Sequence, residues 1–252
     1  MCLIAFAWQV NDQPLLLLGN RDEFHARPTR AAQFWAKEGQ PDLLAGKDLQ
    51  AGGSWLGVTR SGRFAALTNV RAPGAQRDGK SRGHLIHNYL TGELDPHTYL
   101  QGLQAEADAY ADFNLLVGNR DELWHFHSRY AQLLPVPPGI HGLSNASLDS
   151  PWPKTRRLCA DLESHLDADD ATLLALLARC ERYPDDQLPD TGISQDWERM
   201  LSAAFIVSPE YGTRASTVLR LTAAGEINFR ERQFNPAGDA VGEQAWSFSA
   251  SG

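Results

Sequence analysis

Residues 1–24 read MCLIAFAWQVNDQPLLLLGNRDEF, and the folding of this stretch decides how the rest of the chain is arranged. Leu3 to Val10 is apolar and β-prone, Asn11-Asp12-Gln13-Pro14 is rich in turn formers, and Leu15-Leu16-Leu17-Leu18 is a second apolar run ending at Gly19. The pattern predicts a β-hairpin whose second strand returns beside the first. The end of that strand, Asn20-Arg21-Asp22-Glu23, is then delivered close to Cys2.

Cys2 has unusual chemical potential at this position. An initiator Met is removed when the next side chain is small, which would leave Cys2 with both a thiol and a free α-amine. A thiol (about 8.5) and an α-amine (about 7.7–8.0) both titrate near neutrality, and pairing a nucleophile with an N-terminal amine is an established form of covalent catalysis. Arg21 would favour the thiolate, and Asp22 would anchor the ammonium or orient a bound amine. A Cys in this position also reads as a small buried hydrophobe. The chain carries its own control, because Gly118-Asn119-Arg120-Asp121-Glu122 repeats the GNRDE string with no Cys nearby in sequence.

Composition narrows the function classes. The 252 residues are 42% hydrophobic and 21% charged, enough for a real core. A formal charge of −8 argues against a nucleic-acid partner, which would want clustered Lys and Arg. No apolar run approaches the roughly 18–20 residues that span a bilayer, and no signal-peptide pattern opens the chain, so a cytoplasmic location is expected. Three Cys without framework spacing predict no structural disulfide, with Cys159 and Cys180 as buried helical filler.

Further along, residues 24–49 read as an irregular loop broken by Pro28, Pro41 and Gly46. A second hairpin is predicted over 53–69 and a third over 112–129, with a polar exposed stretch at 70–81 and two helices, 82–90 and 96–110, between them. His84 and His87 lie one turn apart, and His125 and His127 share a strand face. Neither pair has partner ligands at telling spacings, so no metal site is expected. A short strand at 139–145 leads to helices over about 153–166 and 169–180, a Pro- and Asp-rich loop at 183–192, and strands at 203–208, 212–221 and 226–233. Beyond Asn235 the composition suggests a loosely packed tail on which Trp246 and Phe248 dock. Grouped strands and helix pairs argue for an α+β domain over 1–252.

Several short motifs occur in order: Met1-Cys2, Gly19-Asn20-Arg21-Asp22-Glu23, Gly52-Gly53-Ser54-Trp55-Leu56-Gly57, Leu67-Thr68-Asn69-Val70-Arg71, Gly142-Leu143-Ser144-Asn145-Ala146 with Pro151-Trp152-Pro153-Lys154, and Gly212-Thr213-Arg214-Ala215-Ser216-Thr217. Together they resemble the NRDE-motif family, that of transport and Golgi organisation protein 2. The resemblance implies a four-layer αββα sandwich of the N-terminal-nucleophile hydrolase type with antiparallel sheets, related to cysteine amidases. It implies a site in which Cys2 attacks a nonpeptide C–N amide or an acyl (thio)ester, with no cofactor. The residues themselves add Arg21 from the hairpin, and Asn69 and Asn145, each ending an apolar run, as oxyanion donors, while Arg214 opens a β-rich segment. Asp22, Asn145 and Arg214 match the amidases' early Asp, mid-chain Asn and late Arg. Those amidases place an Arg three residues before the Asp, whereas Gly19 holds that place here and Arg21 directly precedes Asp22. The resemblance also carries an alternative: a non-catalytic protein of the same fold that binds and moves haem, lipid or acyl-CoA, with Cys2 or a His as a haem-iron ligand.

Overall fold

The computed structural model describes residues 2–75 and 79–251. The first hairpin forms as the sequence predicts. Strand β1 (Cys2–Val10) pairs antiparallel with β2 (Gln13–Phe24), in register from Cys2 opposite Arg21 to Val10 opposite Gln13. The two-residue turn needs left-handed backbone at both central positions, and Asn11 and Asp12 supply it at φ of 53° and 58°.

The chain continues through β3 (Thr29–Trp35), β4 (Gln40–Asp48), β5 (Leu56–Thr59) and β6 (Phe64–Asn69) to helices α1 (Gly83–Thr91) and α2 (Pro96–Gln104). Strands β7 (Phe113–Gly118), β8 (Leu123–His127), β9 (Gln132–Pro135) and β10 (Gly139–Leu143) precede helices α3 (Pro153–Glu163), α4 (Asp170–Leu176) and α5 (Gln195–Leu201). The last strands are β11 (Tyr211–Leu221), β12 (Glu226–Phe234) and β13 (Ala240–Ser249). They form one sheet ordered β10-β1-β2-β11-β12-β13 and another ordered β3-β4-β5-β6-β7-β8-β9, with every strand pairing antiparallel.

Side-chain alternation explains the layering. Ile4, Phe6 and Trp8 of β1 and Leu15 and Leu17 of β2 point into the core between the sheets, against Leu44, Val58, Phe64 and Leu116. Leu3, Ala5, Ala7, Leu16 and Leu18 point the other way and pack under α3 and α4. On the far side, α1 and α2 cover the second sheet through Leu85, Ile86, Tyr89, Leu100 and Leu103. A strand buried on both faces must be apolar at every position, which is why β1 and the leucine run of β2 show no alternation. The result is a four-layer αββα sandwich. No helix among the described residues is long and apolar enough to cross a membrane.

Several sequence expectations need correction. Residues 24–49 are not irregular but contain β3 and β4, whose pairing shifts register between Arg30 and Gln33 and again between Phe34 and Trp35, erasing the period-two signal. Residues 203–208 form no strand, and α4 stops at Leu176, leaving Cys180 exposed beyond it while Cys159 is half-buried in α3. The stretch 70–81 is not uniformly exposed, since Arg71 is buried; residues 76–78 of it lie outside the described residues. Helix α2 ends at Gln104, short of Tyr110. The expected loose tail is instead β13, paired with β12 from Glu226 opposite Ser249 to Phe234 opposite Ala240. Trp246 and Phe248 do dock on the inter-sheet core.

Candidate active site

Register alone places Cys2 directly opposite Arg21, and both project toward the space between the sheets. Here the two sheets part to form a cavity of about 340 Å³ whose lining includes Cys2, Arg21, Asp22, Trp55, Asn69 and Arg82. Cys2 and Arg21 are only 9% and 5% exposed and lie at its base. Burial pushes the Cys2 thiol above its ordinary pKa, Asp22 and Glu23 add to that effect, and Arg21 opposes it. The shift favours the neutral thiol over the thiolate.

Charge dominates the walls. Arg21 donates from Nη1 to Thr29 Oγ1 at 3.0 Å, lies 4.4 Å over the Trp55 ring, and has Glu23 and Asp48 carboxylates at 3.9 and 4.0 Å. Asp48 also takes a 2.6 Å hydrogen bond from Arg27 Nε. The opposite wall carries Lys80 and Arg82. Arg82 donates to the Asp112 carbonyl at 3.1 Å, and among the described residues neither cation has a carboxylate in ion-pair contact.

Alternation turns Asn20 and Asp22 to the helix side of the sheet. The Asn20 amide donates to the carbonyls of Leu177 and Ala204 at 2.9 and 2.8 Å, and its Oδ1 accepts from Ser216 Oγ at 2.6 Å. Asp22 Oδ1 accepts from Thr213 Oγ1 at 2.7 Å, while burial holds its carboxyl above the usual carboxylate range and Lys154 opposes that shift. Lys154 is itself buried, donates to the Leu201 carbonyl at 2.7 Å, and is pulled down to about 8 by burial against the attraction of Asp22. Beside it Arg71 and Glu198 form a buried ion pair at 3.1 Å, with Arg71 4.9 Å from the Trp152 ring. Lys154, Arg71 and Glu198 are absent from the sequence-derived site. A signal for Lys154 did exist: a cation in the first turn of a helix opposes the macrodipole, so a Lys at the second residue of α3 calls for an anionic partner.

A chain of buried hydrogen bonds holds the Cys2 backbone. His125 bonds Asn114 Oδ1 through Nε2 at 3.0 Å, and the Asn114 amide donates to Thr68 Oγ1 at 3.1 Å. The Thr68 hydroxyl donates to the Ser144 carbonyl, and Ser144 Oγ donates to the Cys2 carbonyl at 3.2 Å. His125 is thus the far end of a structural network linking the two sheets; among the described residues no group of three or more His, Cys, Asp or Glu is placed to hold a metal ion.

Of the six residues expected at the site, Cys2, Arg21, Asp22 and Asn69 line the cavity. Asn145 does not; it is 1% exposed and sits behind Asn69, donating from Nδ2 to the Asn69 carbonyl at 2.8 Å. Arg214 lies elsewhere. At the bulge between Thr213 and Ala215 it leaves the row of Arg21, donates from Nη1 to the carbonyls of Phe24, His25 and Arg27 at 3.1, 3.2 and 3.2 Å, and lines a second cavity. The removal of Met1 concerns a residue outside the described ones.

Comparison with known proteins places this architecture. The sequence model of the family described as Transport and Golgi organisation 2 matches residues 1–236. Transport and Golgi organization protein 2 homologs from Bos taurus and Homo sapiens are 35% and 32% identical, each alignment covering 92% of both chains. Among solved structures, the C2A mutant of conjugated bile acid hydrolase from Clostridium perfringens is similar at a TM-score of 0.50 and 9% identity, over 99% of this chain and 97% of that one. The chain therefore belongs to the Transport and Golgi organisation 2 family, on an N-terminal-nucleophile hydrolase fold.

Proposed function

We propose that the protein is an N-terminal cysteine hydrolase acting on a nonpeptide C–N amide or an acyl (thio)ester of a polar small molecule. The observation that carries this reading is the cross-strand pair Cys2 and Arg21 at the base of a charged cavity between the sheets. The C2A mutation in the similar conjugated bile acid hydrolase replaces a second-position cysteine, the residue type found at the same point of this chain.

In the proposed reaction Met1 has been removed, and the freed α-amine of Cys2 takes the thiol proton as sulfur attacks the acyl carbonyl carbon. The carbonyl π electrons move to oxygen, where the Asn69 side chain and nearby N–H groups stabilise the charge. Collapse breaks the bond to the leaving group, which takes the proton from the Cys2 ammonium and departs as amine, alcohol or thiol. Water, deprotonated by the same amine, then cleaves the thioester to a carboxylic acid and free Cys2. Arg21 supports the transient thiolate, Asp22 and Lys154 fix the strand end from the helix side, and Asn145 positions Asn69.

A haem, lipid or acyl-CoA carrier on the same fold, located in the cytoplasm, is the competing proposal and would use the same cavity. Its lining of Arg21, Arg27, Lys80, Arg82, Asp48 and Glu23 favours a polar or charged ligand over a flat apolar one. Intact mass of the purified chain, before and after incubation with acyl amides, acyl thioesters or haem, separates the two. Loss of Met1 and gain of an acyl group that Cys2→Ala abolishes is the expected result. A mass that keeps Met1 and gains only non-covalent haem or lipid would overturn the hydrolase reading.

A further inference from the structure

A second cavity, also of about 340 Å³, lies beside the one at Cys2 and shares Trp55 as a wall. Strand register ties the two together. Cys2 is opposite Arg21, Arg21 opposite Ala215, Ala215 opposite Gln233, and Gln233 opposite Gly242. One transverse row therefore runs beneath both cavities. At about 4.8 Å per strand, Gln233 lies about 14 Å from Cys2 along it.

The divider is built from specific contacts. The Trp55 indole rests on Gly46, where any Cβ would come within 2.2 Å of the ring, and the Arg21 guanidinium covers it. Arg21 in turn donates to Thr29, a residue of the second cavity.

The second cavity differs chemically from the first. Its innermost group is the Glu231 carboxyl, 1% exposed, whose Oε1 accepts from the Ala32 amide at 2.7 Å and from Gln233 Nε2 at 2.8 Å. Directly opposite Glu231 in register is Gln244. Gln244 Oε1 and Arg30 Nε, both on residues lining this cavity, are buried and have no hydrogen-bond partner among the described residues. Buried polar groups are normally partnered, so an unmatched acceptor and an unmatched donor beside one cavity mark a place for a ligand group that supplies both complements. A neutral amide does so: its N–H donates to Gln244 Oε1, and its carbonyl accepts from Arg30 Nε.

We propose that the second cavity binds a neutral amide-bearing arm of the acyl group that is transferred to Cys2. The proposal rests on Cys2 being the nucleophile. The arm runs over the Arg21–Ala215–Gln233 row past Trp55, so an acyl chain of about ten atoms between carbonyl and amide is the right span for the roughly 14 Å separation. Because the arm stays covalently attached in the thioester, its binding holds the acyl-enzyme as well as the substrate.

The test compares acylation of Cys2 by two phenyl thioesters of equal length, one of 11-acetamidoundecanoic acid and one of tetradecanoic acid. The amide donor is expected to react about tenfold faster, as two recovered hydrogen bonds imply. Both Gln244→Leu and Arg30→Lys should bring the ratio of the two rates toward one. Equal rates in the unaltered protein, or a ratio that survives in both variants, overturns the proposal. Should neither donor acylate Cys2, the nucleophile reading fails separately, and titration of the protein with N-hexylacetamide, followed by tryptophan fluorescence, decides the cavity. Binding weakened by Gln244→Leu and by Arg30→Lys supports an amide site, and no binding, or binding untouched by both, overturns it.

Discussion

At the scale of the residue, Cys2 is a buried thiol facing a charged cavity. Burial raises its thiol pKa, so near pH 7 it holds less thiolate than an ordinary Cys, while Cys180 stands exposed. Iodoacetamide at pH 7 should modify Cys180 first and Cys2 slowly, with the Cys2 rate still climbing above pH 9; peptide mass mapping reads both, and a faster Cys2 would contradict the buried-thiol picture. His125 gives a stability effect of definite sign. Burial, with His127 adding to it, lowers its pKa to about 3 from the ordinary 6.5, and only Asp149 opposes. Between these values the unfolded chain binds a proton that the folded one does not, so stability falls as pH drops from about 6.5 toward 3, by at most about 1.4 kcal/mol per pH unit from this residue. Urea unfolding of His125→Gln should show a shallower decline over that window, and a slope identical to that of the unaltered protein would refute the assignment.

At the scale of the element, legibility tracked whether a strand's neighbours act on it evenly. β1, β2 and their turn were readable because both faces of both strands are buried and the turn residues are Asn and Asp. β3 and β4 were not, because two register shifts break their alternation. The site divided in the same way. Cys2, Arg21 and Asp22 follow from hairpin register, whereas Lys154 and the Arg71–Glu198 pair come together only when α3 and α5 pack on the sheet. Glu198 therefore fastens α5 to the loop after β6. Glu198→Ala strands a buried guanidinium and should cost about 3–5 kcal/mol, while Arg71→Met with Glu198→Leu should recover most of that loss. Chemical denaturation of the single and double variants measures it; an additive double variant would mean the pair is not coupled. Gly53 works by backbone proximity. A Cβ there would fall 2.3 Å from the Gly83 carbonyl carbon, so Gly53→Ala must push the start of α1 off the β4–β5 loop and widen the cavity that both segments line.

At the scale of the whole molecule, the two sheets are held together by the central core and by a clasp at one edge. Phe248 of β13 packs on Phe34 of β3 at 5.6 Å, Arg60 lies over both rings at 4.1 and 5.3 Å, and the Ser251 amide donates to the Arg60 carbonyl at 2.9 Å. The docking of Phe248 was legible, but the strand that carries it was not, because the inward face of β13 is Gly242, Gln244, Trp246 and Phe248, apolar only at its far end. Its polar half faces a cavity instead of the core, so the composition that disguised the strand is the composition that lines this cavity. Phe248→Ala should loosen the edge at modest expense, about 2 kcal/mol for a half-buried ring, roughly half of the full core value. A chain ending at residue 239 loses the whole strand, exposes the edge of β12, and removes the Gln244 side of the second cavity while leaving Cys2 and Arg21 paired. Hydrogen exchange should then show protection lost along β12 and β3 but kept in β1 and β2. If β1 and β2 exchange as fast as β12, the sandwich unfolds as one unit and the edge is not a separable clasp.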